Sequence, residues 1–219
     1  MHKLFLTLAT ILSLNTYAQI EETPISMPER LPTTTIGTQT WTTSNLNVAH
    51  FRNGDAIPEV TTNEQWQQAW NEGTPAWCYY EYNEANGVKY GKLYNWYAIT
   101  DLRGLAPKGW HIPRITEWDT LINYLGKDQV FGKIVDKAGW IKGLSKTSNA
   151  SELSILAGGM RSMTGFGGID TETHLWAYPK DVKNYSNALI IMIGINSAPG
   201  IDKAYGMEKD GMYVRCVKD

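Results

Sequence analysis

The sequence predicts an α+β domain, with short helices in the N-terminal half and short strands after them. Two segments, Thr62–Asn71 and Thr116–Leu125, carry helical apolar spacing between capping signals. Beyond Trp140 glycine, serine and threonine become frequent and the apolar runs shrink to strand length. Between these regions lies Tyr90–Trp118, with six Tyr or Trp side chains and glycines and prolines beside them. That texture fits a packed, irregular loop core.

The chain has 219 residues, 42% hydrophobic and 19% charged, with net charge −2. This is enough for one sizeable core. A near-neutral charge gives no electrostatic case for nucleic acid or an anionic membrane surface. Trp (9) and Tyr (12) far outnumber Phe (4); rings with a polar handle suit half-buried anchors and binding surfaces.

At the N-terminus, Met1-His2-Lys3 precedes an apolar run, Leu4–Leu14, and Thr16-Tyr17-Ala18 places small residues where a signal peptidase reads. Residues 1–18 are therefore expected to be a secretory signal, cleaved after Ala18. The run is too short for a stable span, and no later segment is apolar enough to cross a membrane. Residues 19–35, with Pro24, Pro28, Pro32 and Thr33-Thr34-Thr35, are expected to be an extended linker, and residues 36–219 a single domain.

Along that domain, Ile36–Trp41 reads as a first strand around a possible turn, which Asn45–Val48 extends, and Asn53-Gly54-Asp55 as a turn. In the first helix Thr62 and Gln65 form a capping-box pattern and Gly73 closes the end. Trp66, Ala69 and Trp70 share a face, read as core. Ala76–Tyr82 reads as a strand and Asn83–Gly87 as a polar turn. Leu93–Ile99 fits either a strand or a helical turn. In the second helix Trp118, Leu121, Ile122 and Leu125 line one face, with Thr116 as N-cap and Gly126 as stop. Asp128–Lys137 suggests a further short helix. Leu153–Leu156, Leu175–Ala177, Ala188–Ile193 and Met212–Val217 read as strands, with Ala188–Ile193, apolar on both faces, central. Gly158-Gly159 and Gly165–Gly168 suggest tight backbone approaches.

Several stretches resemble one family, the Fibrobacter succinogenes major paralogous domain. They are Ile36–Trp41, Asn45-Leu46-Asn47, Tyr90–Ala98, Leu105–Pro113, Glu117-Trp118, Gly158–Arg161 and Val214–Asp219. The resemblance implies a C-type-lectin-like fold, two or three short helices on small antiparallel sheets with long ordered loops. It also implies a secreted or cell-surface setting, and a distant relation to formylglycine-generating enzymes.

Cys78 and Cys216, an even pair in a chain read as secreted, are expected to form a disulfide. Formylglycine-generating enzymes use two copper-binding cysteines near the C-terminus; only Cys216 stands there. His50, His111 and His174 have no metal-ligand spacing, and His111 in Gly-Trp-His-Ile-Pro reads as a hydrogen-bonded structural residue. Among Glu81, Glu84, Asp101, Glu117 and Asp119 no spacing selects an acid–base pair. No metal or cofactor site is expected, beyond room for a structural calcium ion at Asn83–Asn86. Strand alternation puts Trp77 and Tyr79 on the face opposite Cys78; that face is either exposed, which makes them the expected ligand-binding rings, or packed against a second sheet. The expected role is a non-catalytic domain at the bacterial envelope, bound to a glycan or a surface protein. The alternatives are a structural component without a small ligand and, third, an oxidase of the formylglycine-generating kind.

Overall fold

The structure is a computed structural model, which describes residues 31–141, 144, 147–179, 188–195 and 199–219. The expected signal segment and residues 19–30 of the expected linker lie outside these. The linker's last threonines are not linker: Thr33–Ile36 (β1) pairs antiparallel with Gln39–Thr42 (β2) around Gly37, whose φ is +60°. Threonine is β-branched and favours a paired strand once a partner is at hand. The first predicted strand is therefore a hairpin. Asn45 does not extend it; its amide donates to Tyr90 O at 2.8 Å, and its carbonyl accepts from Arg215 Nε at 2.7 Å.

Helix α1 spans Asn63–Glu72. Thr62 caps it by accepting from Gln65 N, and Gly73 ends it at φ +66°. The Gln65 side chain reaches back to Thr61 N at 2.7 Å. Helix α4, Ile115–Leu125, buries Trp118, Leu121 and Leu125 and stops at Gly126 as predicted. Its N-cap position is Arg114 rather than Thr116, because the Glu117 carboxylate accepts from Arg114 N at 2.9 Å. Helix α5, Val130–Ile134, covers the centre of the predicted Asp128–Lys137 helix.

The predicted Ala76–Tyr82 strand survives only as Trp77–Cys78 (β3), paired with Leu93–Tyr94 (β4). Tyr80–Tyr82 winds into a 3-10 turn, with Glu81 and Tyr82 both at positive φ (54° and 53°). The predicted polar turn is a helix, α2 (Glu84–Tyr90), capped by Asn83, which accepts from Ala85 N. Leu93–Ile99 is strand and then helix: β4 hands over to α3, Trp96–Thr100. Asn95 forms that junction. Its carbonyl accepts from Ala98 N and Ala76 N, and its amide donates to Thr74 O at 2.8 Å.

Strand β5 is Trp110–His111, and β6 to β11 are Gly158–Ser162, Gly165–Ile169, Glu172–Trp176, Leu189–Gly194, Gly200–Tyr205 and Val217–Lys218. One sheet has the order β1-β2-β11-β5, a second β10-β9-β8-β6-β7, and β3-β4 is a separate pair. Strand β9 lies inside its sheet, as its two-sided apolar pattern predicts. Pairing is antiparallel except where β6 meets β8 in parallel. Of the predicted Leu153–Leu156 strand only Ile155 bridges, to Val135, and only the end of Met212–Val217 is strand. The architecture is α+β, with five short α-helices among the described residues instead of the two or three expected.

Two hydrophobic clusters fill the interior. One gathers Trp41, Trp118, Leu121, Cys78 and Tyr213; the other Trp77, Tyr94, Trp96, Trp176 and Cys216. The aromatic stretch recognised from sequence is built into both. Trp176 Nε1 donates to Tyr94 O at 2.7 Å, and the Tyr94 hydroxyl donates to Val48 O while accepting from Val48 N. Arg215, fully buried, ties distant loops by donating to Thr42 O, Leu153 O and Ser154 O. Burial without a carboxylate partner lowers its pKa to about 9. Among the described residues, no helix is long and apolar enough to cross a membrane.

Candidate functional site

The expected ligand rings do not form an open platform. Trp77 is 4% exposed, and its Nε1 donates to Ile57 O at 2.8 Å. Lys92 Nζ lies 4.3 Å from its ring and 4.8 Å from that of Tyr79, and donates to the Tyr79 hydroxyl at 3.1 Å. The Tyr79 ring packs so closely on Gly87 that a Cβ there would stand 2.1 Å from it. Alternation failed because β3 is covered on both faces, so the opposite of the Cys78 side is interior too.

The cysteines also depart from expectation. Cys78 and Cys216 are free thiols, each 0% exposed, in different hydrophobic clusters. Burial pushes the Cys78 thiol up strongly and the Cys216 thiol up to about 12. No disulfide joins them.

His111 is held between two carboxylates, with Nε2 2.8 Å from Glu117 Oε1 and Nδ1 2.8 Å from Asp219 Oδ1. Only imidazolium can donate from both nitrogens at once. Partial burial opposes the charge, but the two carboxylates outweigh it and the pKa is raised. The ring therefore locks β5, α4 and the last residue together. Of the other carboxylates singled out from sequence, Asp101 pairs with Arg103 and Asp119 with Lys203. His50 takes part in a backbone bridge to Ala56.

The open aromatic surface is elsewhere, on α1. Asn63, Trp66, Gln67 and Trp70 fall at i, i+3, i+4 and i+7 and line a groove of about 150 Å3 with Arg161, Met163 and Lys209. Trp66 is core, as read from sequence, and its Nε1 anchors Lys209 O at 2.7 Å. Trp70 is not core; it is half-buried at the groove wall, with Lys209 Nζ 3.8 Å from its ring centroid.

Arg161 forms the floor. Its guanidinium lies 4.6 Å from the Trp66 ring and 5.5 Å from Phe166. It donates to Asn63 Oδ1 at 2.9 Å, to the Tyr82 hydroxyl at 3.0 Å and to Ser162 O at 3.0 Å. The Tyr82 hydroxyl in turn donates to Asn63 Oδ1 at 3.0 Å. Tyr82 is the second of two consecutive non-glycine residues at positive φ, a conformation costing on the order of 1–3 kcal/mol per residue. The strained turn is thus what delivers Tyr82 to Arg161.

The groove is locally cationic. Among the described residues, the close ion pairs involve neither Arg161 nor Lys209. Both cations act electrostatically on a buried carboxylate, Asp210. Its burial pushes the carboxyl pKa up, against the pull of Met207 N and the charges of Arg161 and Lys209. Arg161 was visible in sequence only inside Gly158–Arg161, without a role. Of the groove's helical side the sequence showed Trp66 and Trp70 on one face, read as core; Arg161 on the floor lies 98 residues beyond Asn63.

No curated protein and no solved structure matches the chain. Its residues 34–218, from β1 to β11, match the Fibrobacter succinogenes major domain. The stretches read as family-like now have structural roles: Asn45 holds Arg215, Gly158 O accepts from the Tyr213 hydroxyl, and Asn95 splices β4 to α3. This chain belongs to the Fibrobacter succinogenes major domain family.

Proposed function

We propose that this chain is a non-catalytic binding domain of the bacterial envelope, with a C-type-lectin-like fold and an acidic glycan as its ligand. The observation that carries the reading is the α1 groove. It joins a half-exposed indole, two amides and two cations without a close carboxylate partner. A uronic acid complements each part. Its ring C–H face stacks on Trp70, its hydroxyls meet Asn63 and Gln67, and its carboxylate meets Lys209, with the buried Arg161 adding positive charge from beneath. The reading also draws on the signal-like N-terminus and on the α+β architecture with long ordered loops. Formylglycine-type chemistry finds little support in two buried thiols that sit in different clusters.

The test is a glycan array carrying neutral and uronic-acid oligosaccharides, probed with the native protein and with Trp70→Ala. The expected result is binding confined to acidic glycans and weakened at least about tenfold in the variant, roughly 1.4 kcal/mol. Binding that is indifferent to Trp70, or absent for all glycans, moves the weight to an envelope component whose partner is a protein.

A further inference from the structure

The chain has seven methionines, and the five among the described residues converge on one place. Met160, Met163, Met192, Met207 and Met212 line a single cavity of about 410 Å3 together with His174. Three of these six form a row across the larger sheet. His174 on β8 stands directly opposite Met192 on β9. On the other side, β6 runs parallel to β8 with Gly159 opposite Thr173, which brings Met160 level with His174. Neighbouring strands lie about 4.8 Å apart, so the row Met192–His174–Met160 places one thioether on each side of the imidazole. Among the methionines Met212 is buried, at 1% exposed, whereas Met163 and Met207 are 54% and 58% exposed at the rim.

His174 adds an independent observation. It is 6% exposed, and neither ring nitrogen has a hydrogen-bond partner. Nε2 stands 3.4 Å from Glu172 Oε1 in an ion pair, so Nδ1 is the nitrogen that meets no partner of either kind. A buried imidazole left unsatisfied costs free energy that packing alone does not explain. A metal ion in the cavity would use a nitrogen lone pair that the protein leaves unused. The cavity's side-chain donors are five thioethers, one imidazole and the hydroxyls of Ser162, Thr164 and Tyr205, with one lining carboxylate, Asp210, whose Oδ2 already accepts from Met207 N at 3.0 Å. Thioethers are soft ligands that favour Cu(I) over harder divalent ions.

We propose that this cavity is a binding site for a monovalent soft metal ion, Cu(I), held by His174 with Met160 and Met192, with Met212 beneath and Met163 and Met207 at the rim. The site is separate in chemistry from the glycan groove, although Met163 borders both. No electron transfer is part of the proposal; the ion is bound and released as Cu(I).

The test is anaerobic competition of the full chain against a chromophoric Cu(I) chelator, bicinchoninate. A parallel titration with Ag(I), the redox-inert analogue, is followed by methionine methyl NMR. The expected result is withdrawal of one equivalent of Cu(I), movement of the Met160 and Met192 methyl signals with Ag(I), and no response to Zn(II). The double variant Met160→Leu/Met192→Leu keeps the side-chain volume. It should bind about 100-fold more weakly or worse, since even outer-shell partners are worth roughly 10- to 100-fold. His174→Gln should weaken binding in the same sense. Failure to withdraw Cu(I), equal withdrawal by the double variant, or methyl signals unmoved by Ag(I) would overturn the proposal. The methionines would then be flexible packing only.

Discussion

Replacing Arg161 by methionine should unsettle the groove from beneath while leaving most of the apolar stem in place. The guanidinium donates to three acceptors, Asn63 Oδ1, the Tyr82 hydroxyl and Ser162 O. At a net ~1 kcal/mol each these contribute about 3 kcal/mol. Its stacking on Trp66 adds about 0.5–2 kcal/mol. Against this, the methionine side chain needs no desolvation of a charge, a penalty of several kcal/mol for an isolated buried ion. Tyr82 and Asn63 also keep their mutual bond. The balance is a destabilisation of about 2–4 kcal/mol, dominated by acceptors left without their donor. For a chain of this size each kcal/mol lowers Tm by about 2–4 °C, so the variant should melt roughly 4–16 °C lower. Urea denaturation with a Tyr82→Phe cycle isolates the pair, with a coupling of about 0.5–3 kcal/mol expected. Arg161→Lys should fall between the two, because it keeps the charge and loses the fork. An Arg161→Met protein as stable as the parent, or a cycle with no coupling, would refute the idea that this guanidinium holds the strained turn against α1.

Gly159→Ala should cost about 3 kcal/mol or more in denaturant titrations, combining left-handed strain with overpacking; its φ is +71°, and a Cβ would lie 2.3 Å from Gly167 O. His111 has a raised folded pKa, so its contribution is fully present below the ordinary value of 6.5 and is lost as pH rises through the folded value. Tm measured from pH 5 to 9 should therefore carry a falling component that His111→Gln removes; identical pH profiles would contradict it. Both cysteines should resist a thiol reagent in the native state, and two thiols should react after unfolding without reductant; a non-reduced mass lower by two hydrogens would contradict the free thiols.

Local signals were read well wherever local forces decide. Thr62, Gln65 and Gly73 do at α1 what their types dictate, and Gly126 ends α4. Strand β9, apolar on both faces, lies inside its sheet. Apart from the α4 cap and the helix α2, which local bonds decide, the misreadings come from contacts made from far along the chain. Tyr79–Tyr82 has every local preference for a strand. Yet Tyr80 is drawn into the core, and Tyr82 is bonded by Arg161, 79 residues away, with two positive φ angles as the local cost. Trp66 and Trp70 lie on the same helical face, and nothing local tells the buried ring from the half-exposed one. That difference comes from the backbone and side chain of Lys209. The disulfide expectation rested on the number of cysteines, and number carries no information about which hydrophobic cluster each one enters. The methionine row was illegible because it depends on the register of three strands, which no single strand records.

The groove itself is tested most directly by 15N-indole NMR of the protein titrated with oligogalacturonate. Each of the nine tryptophans gives one indole signal. The Trp70 signal should shift in a saturable manner and the Trp66 signal less, while those of fully buried Trp41, Trp96 and Trp118 stay in place. A spectrum that does not change, or one in which Trp110 moves and Trp70 does not, would contradict a glycan site on α1.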